Sequence, residues 1–67
     1  MIQITVNGEP RDLPEASTLA DLVAAIADSP QALATAVNGE FVARDARSAC
    51  LLREGDAVFT FQPITGG

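Results

Sequence analysis

The chain has 67 residues, of which nine are acidic and four are arginine, so its net charge is −5 at neutral pH. A chain of this length forms one core, and a single layer of helix on sheet rarely encloses a substrate pocket. The sequence has no His, Trp or Tyr, so bases and metal ligands are scarce and we expect no metal site and no bound cofactor. The acidic charge opposes binding to nucleic acid or an anionic membrane. These features argue against a self-sufficient enzyme and favour a protein partner.

Cysteine content bears on the cellular compartment. Cys50 is the single cysteine, whereas secreted domains of this size normally carry several disulfides, so we expect a cytoplasmic protein. From Met1 onward the chain enters a strand pattern with no charged leader or long apolar block, so we expect neither a signal peptide nor a transmembrane span. Cys50 stands beside two leucines and is expected to be a small buried hydrophobe rather than a sulfur-transfer site.

The first residues predict a β-hairpin. Apolar and polar residues alternate over 2–6, and the dipeptide Asn7-Gly8 follows where a tight turn needs positive φ. Residues 11–13 can pair back as a short second strand. Pro14 stops that strand because it has no amide proton for a continuing ladder.

A helix is predicted from Ser17 or Thr18 to about Asp28. Either residue can act as the N-cap, and Asp21 stands three residues after Thr18, where its carboxylate meets the N-terminal amides. The apolar residues of this segment recur at helical spacing and form one stripe, made of Leu19, Leu22, Val23 and Ile26. One face of the helix should therefore pack on a sheet.

The second half of the chain predicts three more strands. They fall at residues 34–38, 41–42 and 57–62, with an irregular connection containing a helical turn over 44–52. A second Asn-Gly dipeptide and the turn at 54–56 separate them. The order predicts an α+β domain over residues 1–67. It would have a mixed sheet of four to five strands, one main helix, and a flexible tail at 62–67.

The last five residues of the predicted tail read Pro63-Ile64-Thr65-Gly66-Gly67. Pro63 blocks a regular ladder and favours an extended backbone. Glycines lack side chains, so a narrow channel in a partner can close around them and leave the terminal carbonyl open to attack. Five extended residues span at most about 17 Å. Composition alone supports a frayed, inert end equally well.

The three aromatic residues are Phe41, Phe59 and Phe61. If Val58 and Thr60 point inward on the last strand, alternation places Phe59 and Phe61 together on the outer face as a binding patch. The opposite register buries both, and hydrophobicity alone favours the core for Phe59. Core and patch are equally supported for Phe41.

Four segments carry a resemblance to a known family: MIQITVNG at 1–8, AVNGEFVAR at 36–44, EGD at 54–56 and FQPITGG at 61–67. Over essentially its whole length the chain resembles the ubiquitin-like β-grasp sulfur carriers, above all the ThiS family of thiamine biosynthesis. The spacing from the Glu-Gly-Asp turn to the final Gly-Gly is the most specific element.

The resemblance implies a protein cosubstrate rather than an enzyme. A ThiF-like adenylyltransferase would use ATP to adenylate the Gly67 carboxylate, and a persulfide donor would convert it to a thiocarboxylate. A ThiG-like thiazole synthase would then receive the sulfur. Ile64, Thr65 and Gly66 form the tail that presents Gly67. The resemblance also favours exposure of Phe61, because related carriers contact a partner at the position six before the terminal glycine.

Other functions stay open. The chain could be a MoaD-like small subunit of molybdopterin synthase, which shares the thiocarboxylate chemistry. It could also be a ubiquitin-like protein that is conjugated to target lysines. A third alternative is an interaction module with an inert tail. The absence of lysine excludes chain building on this protein's own ammonium groups. Arg44, Arg47 and Arg53 are interpreted as solvated surface residues, and Glu54 and Asp56 as turn-forming residues.

Overall fold

The computed structural model describes residues 1–29 and 32–61, in which one α-helix lies across a five-stranded sheet. The elements are β1 (Ile2–Val6), β2 (Glu9–Leu13), α1 (Leu19–Ile26), β3 (Ala34–Val37), β4 (Glu40–Val42), a 3-10 helix (Arg44–Ala49) and β5 (Ala57–Phe61). The strand order is β2-β1-β5-β3-β4. Because β5 is parallel to β1 and antiparallel to β3, the sheet is mixed. The predicted α+β class is confirmed.

Both Asn-Gly dipeptides form two-residue hairpin turns, as predicted. Asn7 and Asn38 each have φ of 53°, and the glycines that follow have φ of 87° and 84°. Positive φ at both central residues is the type I′ geometry that matches the twist of the flanking strands. The first turn sets Glu9 directly opposite Val6, so β2 begins two residues before the predicted start at 11.

Helix α1 begins as predicted and ends earlier. The Thr18 hydroxyl accepts from the Asp21 amide at 3.1 Å, and the Asp21 carboxylate accepts from the Thr18 amide at 3.0 Å. This reciprocal pair satisfies two N-terminal donors. Ala27 is the C-cap in extended conformation, so the helix ends before the predicted Asp28. Asp28 and Ser29 have low helix propensity and precede a proline in the sequence, which favours this early end.

The core lies between α1 and the inner face of the sheet. Its buried members are Ile4, Leu13, Leu19, Leu22, Val23, Leu52 and Val58. The segment after the 3-10 helix docks on the helix N-terminus, since the Leu19 amide donates to the Cys50 carbonyl at 2.8 Å and the Leu52 amide to the Ser17 carbonyl at 2.9 Å. Cys50 packs against the core but is only half-buried.

One arginine is buried, which corrects the prediction of a solvated Arg47. Its side chain is 4% exposed. Its Nε donates to the Thr35 hydroxyl at 3.1 Å, and its guanidinium also donates to the Leu33 carbonyl. The Thr35 hydroxyl, itself fully buried, donates to the Val42 carbonyl at 3.0 Å. Arg47 therefore joins the 3-10 helix to β3, and the Thr35 hydroxyl extends this network to β4.

Candidate functional site

The alternation of β5 decides where its aromatic residues point. Val58 is fully buried, whereas Phe59 is 44% and Phe61 is 50% exposed. Val58 pairs with Val6 on β1 and with Val37 on β3, and both valines pack against the core. A shift of one residue would move Val58 out of the core, so the neighbouring strands fix the register. The sequence-based preference for burial of Phe59 is wrong, and the exposure predicted for Phe61 is confirmed.

Phe41 belongs to the same outer face. Ala36 on β3 pairs with Phe59 on one side and with Phe41 on the other. Directly opposed residues carry their side chains on the same face about 4.5–5.5 Å apart, so the two phenylalanines flank the alanine. Phe41 is 69% exposed. The structure therefore resolves the question left open for Phe41 in favour of the surface.

Phe41, Phe59 and Phe61 together form what we call the aromatic patch. Phe61 lies two residues after Phe59 and pairs with Ala34, so it extends the same face toward the end of β5. Clustered exposed aromatics mark interaction surfaces, since burying them against a partner removes apolar area from water. The small alanines between them leave the rings as the most prominent apolar groups of this face.

Both hairpin turns hold β5 through their asparagine side chains. Asn7 Oδ1 accepts from the Thr60 amide at 3.0 Å, and Asn7 Nδ2 donates to the Thr60 hydroxyl at 3.1 Å. At the other end of β5, Asn38 Oδ1 accepts from the Ala57 amide at 3.0 Å. The turns were predicted from the sequence, whereas these side-chain contacts were not. The repetition of Asn-Gly directly after two different strands was the available signal.

Glu54 and Asp56 form turn contacts, as predicted. Glu54 Oε1 accepts from the Gln3 amide at 2.9 Å, and Asp56 Oδ2 accepts from the Arg53 amide at 2.8 Å. Gly55 between them has φ of 86°, a conformation that side-chain-bearing residues rarely adopt. This turn sets the start of β5.

The predicted tail residues Ile64, Thr65, Gly66 and Gly67 lie outside the described residues, so their roles stay predictions.

Over residues 1–29 and 32–61, no group of three His, Cys, Asp or Glu side chains is placed to hold a metal ion. No helix in the same part of the chain has the length and apolar character to cross a membrane. Two open grooves of about 380 and 360 Å³ lie beside the end of β5 and share Ile26, Leu33 and Thr60 in their walls.

A five-stranded mixed sheet in the order β2-β1-β5-β3-β4, crossed by one helix, defines a ubiquitin-like β-grasp domain. The model of the ThiS family matches residues 4–67, and the chain belongs to the ThiS family.

Two solved structures are similar to this chain. One is the crystal structure of the thiamine biosynthesis protein ThiS from Geobacter metallireducens, with 30% identity and a TM-score of 0.85, covering 98% of this chain and 100% of that one. The other is an NMR solution structure of a thiamine biosynthesis protein from Geobacter metallireducens, with 30% identity and a TM-score of 0.70, covering 98% of this chain and 88% of that one. A search of curated proteins finds no significant match.

Proposed function

We propose that this protein is a sulfur carrier of thiamine biosynthesis that acts as a cosubstrate of cytoplasmic enzymes. The observation that carries the proposal is the ThiS family match over residues 4–67, because it extends through Gly66 and Gly67. The similar structures described as thiamine biosynthesis proteins support the same pathway.

The chemistry proposed for Gly67 begins with activation of its carboxylate. A carboxylate resists nucleophiles because of its charge, so a ThiF-like enzyme transfers AMP from ATP to it and releases pyrophosphate. The terminal sulfur of a persulfide then attacks the carbonyl and displaces AMP, which leaves an acyl disulfide. A thiol cleaves the sulfur–sulfur bond, forming a new disulfide with the donor and releasing the thiocarboxylate. A ThiG-like thiazole synthase accepts this sulfur.

The aromatic patch is the proposed docking surface for these enzymes. Phe41, Phe59 and Phe61 are each about half exposed or more, and complete burial of a phenylalanine is worth roughly 1.5–3 kcal/mol, so covering the exposed part of each ring contributes about 1 kcal/mol. Phe61 is the last residue of β5. Docking on this face therefore brings the end of β5, from which the tail continues in the sequence, close to the partner. The net charge of −5 favours an enzyme with a basic rim around its apolar contact.

The first experiment measures the intact mass of the protein after incubation with the ThiF-like enzyme of the same organism, ATP, a persulfide donor and a thiol. We expect a gain equal to the replacement of one oxygen by sulfur, confined to the C-terminal peptide. The control is a chain without Gly67, whose far-UV circular dichroism should match that of the native chain. The thiocarboxylated protein is then given to a ThiG-like enzyme with its other substrates.

Each result separates the competing functions. An unchanged mass with an enzyme that is competent on another carrier would contradict sulfur carriage, and recovery of lysine-linked adducts would then indicate conjugation. A thiocarboxylate that forms but is consumed only by a molybdopterin synthase large subunit would indicate the MoaD-like function. Full cellular function of the chain without Gly67 would indicate a module with an inert tail.

A further inference from the structure

The two edges of the sheet differ in the backbone groups that they expose. On the side of β1 that faces β5, the amides of Thr5 and Asn7 donate to the carbonyls of Asp56 and Val58. The alternate residues of β1, such as Ile4 and Val6, therefore direct their backbone groups toward β2. Pro10 pairs with Thr5, which places Pro10 in a pair without backbone hydrogen bonds and turns its backbone toward the free edge. Proline has no N–H to offer there. The β2 edge is therefore protected at Pro10, near the turn, and Asp12 is the one residue of β2 that directs an N–H toward this edge.

The β4 edge has no such protection. Val37 and Glu40 flank the turn that begins at Asn38. In a two-residue hairpin this flanking pair is joined by backbone hydrogen bonds. Hydrogen-bonded and free pairs alternate, so Phe41 opposite Ala36 belongs to a free pair. The N–H and C=O of Phe41 consequently point away from β3. Among residues 1–29 and 32–61, β4 has no sheet neighbour on that side.

We propose that the β4 edge receives an extended strand from the ThiF-like enzyme, paired through the N–H and C=O of Phe41. The identity of this partner rests on the proposed function, whereas the geometry of the edge does not. An open edge recognises an extended backbone, and the side chains beside it provide selectivity. Here the exposed ring of Phe41 borders the edge, and Phe59 lies one strand further in on the same face. A strand added at β4 thus continues the aromatic patch.

Charge favours a different protein over a second copy of this chain. Each copy has a net charge of −5, so two copies brought edge to edge repel one another. The short length of β4, three residues, limits addition to the pair of hydrogen bonds at Phe41. Such a strand would hold the partner in register while the aromatic patch supplies most of the apolar contact.

The test removes the amide proton of Phe41 and leaves every side chain unchanged. Cys50 allows chemical ligation of a synthetic 1–49 thioester to a 50–67 peptide, so the protein can be prepared with an N-methyl group on Phe41. The matched control has the N-methyl group on Asp12, whose backbone also faces a free edge, on β2. Thermal unfolding of both proteins should match that of the native chain, because neither amide donates within the sheet.

The measured quantity is the affinity for the ThiF-like enzyme of the same organism. We expect methylation of Phe41 to weaken binding about tenfold or more, since it removes one hydrogen bond and obstructs the added strand. Methylation of Asp12 should leave affinity unchanged. Equal affinity of the Phe41-methylated and native chains, or equal loss for both methylated chains, would overturn the strand addition. A native chain that is not adenylated would instead refute the proposed function, and the inference with it.

If a methylated chain fails to fold, two further measurements on the native chain test the strand addition. In the native complex, exchange of the Phe41 amide proton should slow at least tenfold, while exchange at Asp12 stays unchanged. Unprotected exchange at Phe41 would contradict the proposal. Sedimentation of the native chain alone should give a monomer. A dimer that the Phe41 methyl group abolishes would assign the edge to a second copy and overturn the assignment to the enzyme.

Discussion

Replacement of Arg47 by methionine tests whether the buried guanidinium stabilises the fold. Methionine retains a long apolar side chain but removes the donors to the Thr35 hydroxyl and the Leu33 carbonyl. Hydrogen bonds from a charged group contribute about 1.5–3 kcal/mol each. We expect Arg47→Met to lower the free energy of unfolding by about 3 kcal/mol. A domain of this size has about 3–10 kcal/mol in total, so the loss would be a large fraction.

Urea unfolding followed by far-UV circular dichroism measures this change, because the chain has no Trp or Tyr for intrinsic fluorescence. Arg53→Met is the matched control, since Arg53 is exposed, and we expect it to change stability by less than about 0.5 kcal/mol. Arg47→Lys keeps the charge but loses the planar fork of donors, so its stability should lie between those of the native and Arg47→Met chains.

A double-mutant cycle then isolates one contact of the guanidinium. Thr35→Val removes the hydroxyl that accepts from Arg47, and the coupling between Arg47→Met and Thr35→Val should be about 1 kcal/mol. An Arg47→Met chain as stable as the native protein would refute the reasoning. It would mean that the cost of removing the guanidinium from water offsets its hydrogen bonds.

Three further changes test other parts of the structure. Ala16 has φ of 67°, so Ala16→Gly should raise the urea midpoint and stabilise the fold by about 0.5–1 kcal/mol. The control is Ala24→Gly on the exposed face of α1, which should destabilise the fold by about 1 kcal/mol. Thr18→Ala removes the helix cap and should cost about 1 kcal/mol in the same assay; an unchanged midpoint would contradict the capping role. Phe59→Ser should weaken binding to the ThiF-like enzyme about fivefold or more, as measured by calorimetry. The control is Leu51→Ser, which changes an exposed leucine outside the sheet strands and should leave the affinity unchanged. Equal effects of the two would exclude a specific role for the aromatic patch.

The strand and helix pattern could be predicted from the sequence because its signals are local. Alternation over 2–6, two Asn-Gly dipeptides and a capped apolar stripe each specify one element without information from the rest of the chain. The register of β5 could not be settled in this way. Phe59 is the larger hydrophobe, yet Val58 occupies the core because the neighbouring strands hold valines at the paired positions.

The burial of Arg47 could not be predicted from local sequence pattern. Its burial depends on the Thr35 hydroxyl and the Leu33 carbonyl, which are 12 and 14 residues away in the sequence. An arginine in a segment of mixed periodicity gives no sign of partners at that distance in the sequence. The aromatic patch was predictable as one of two alternatives, and tertiary pairing selected between them.

The central position of β5 has a mechanical consequence. Phe61 ends a strand that is bonded to β1 on one side and to β3 on the other, and Asn7 holds Thr60 just before that end. A pull applied at Phe61 along the axis of β5 loads both ladders in shear, so their hydrogen bonds share the force instead of opening one after another. The sheet can therefore resist a pull at this end of β5.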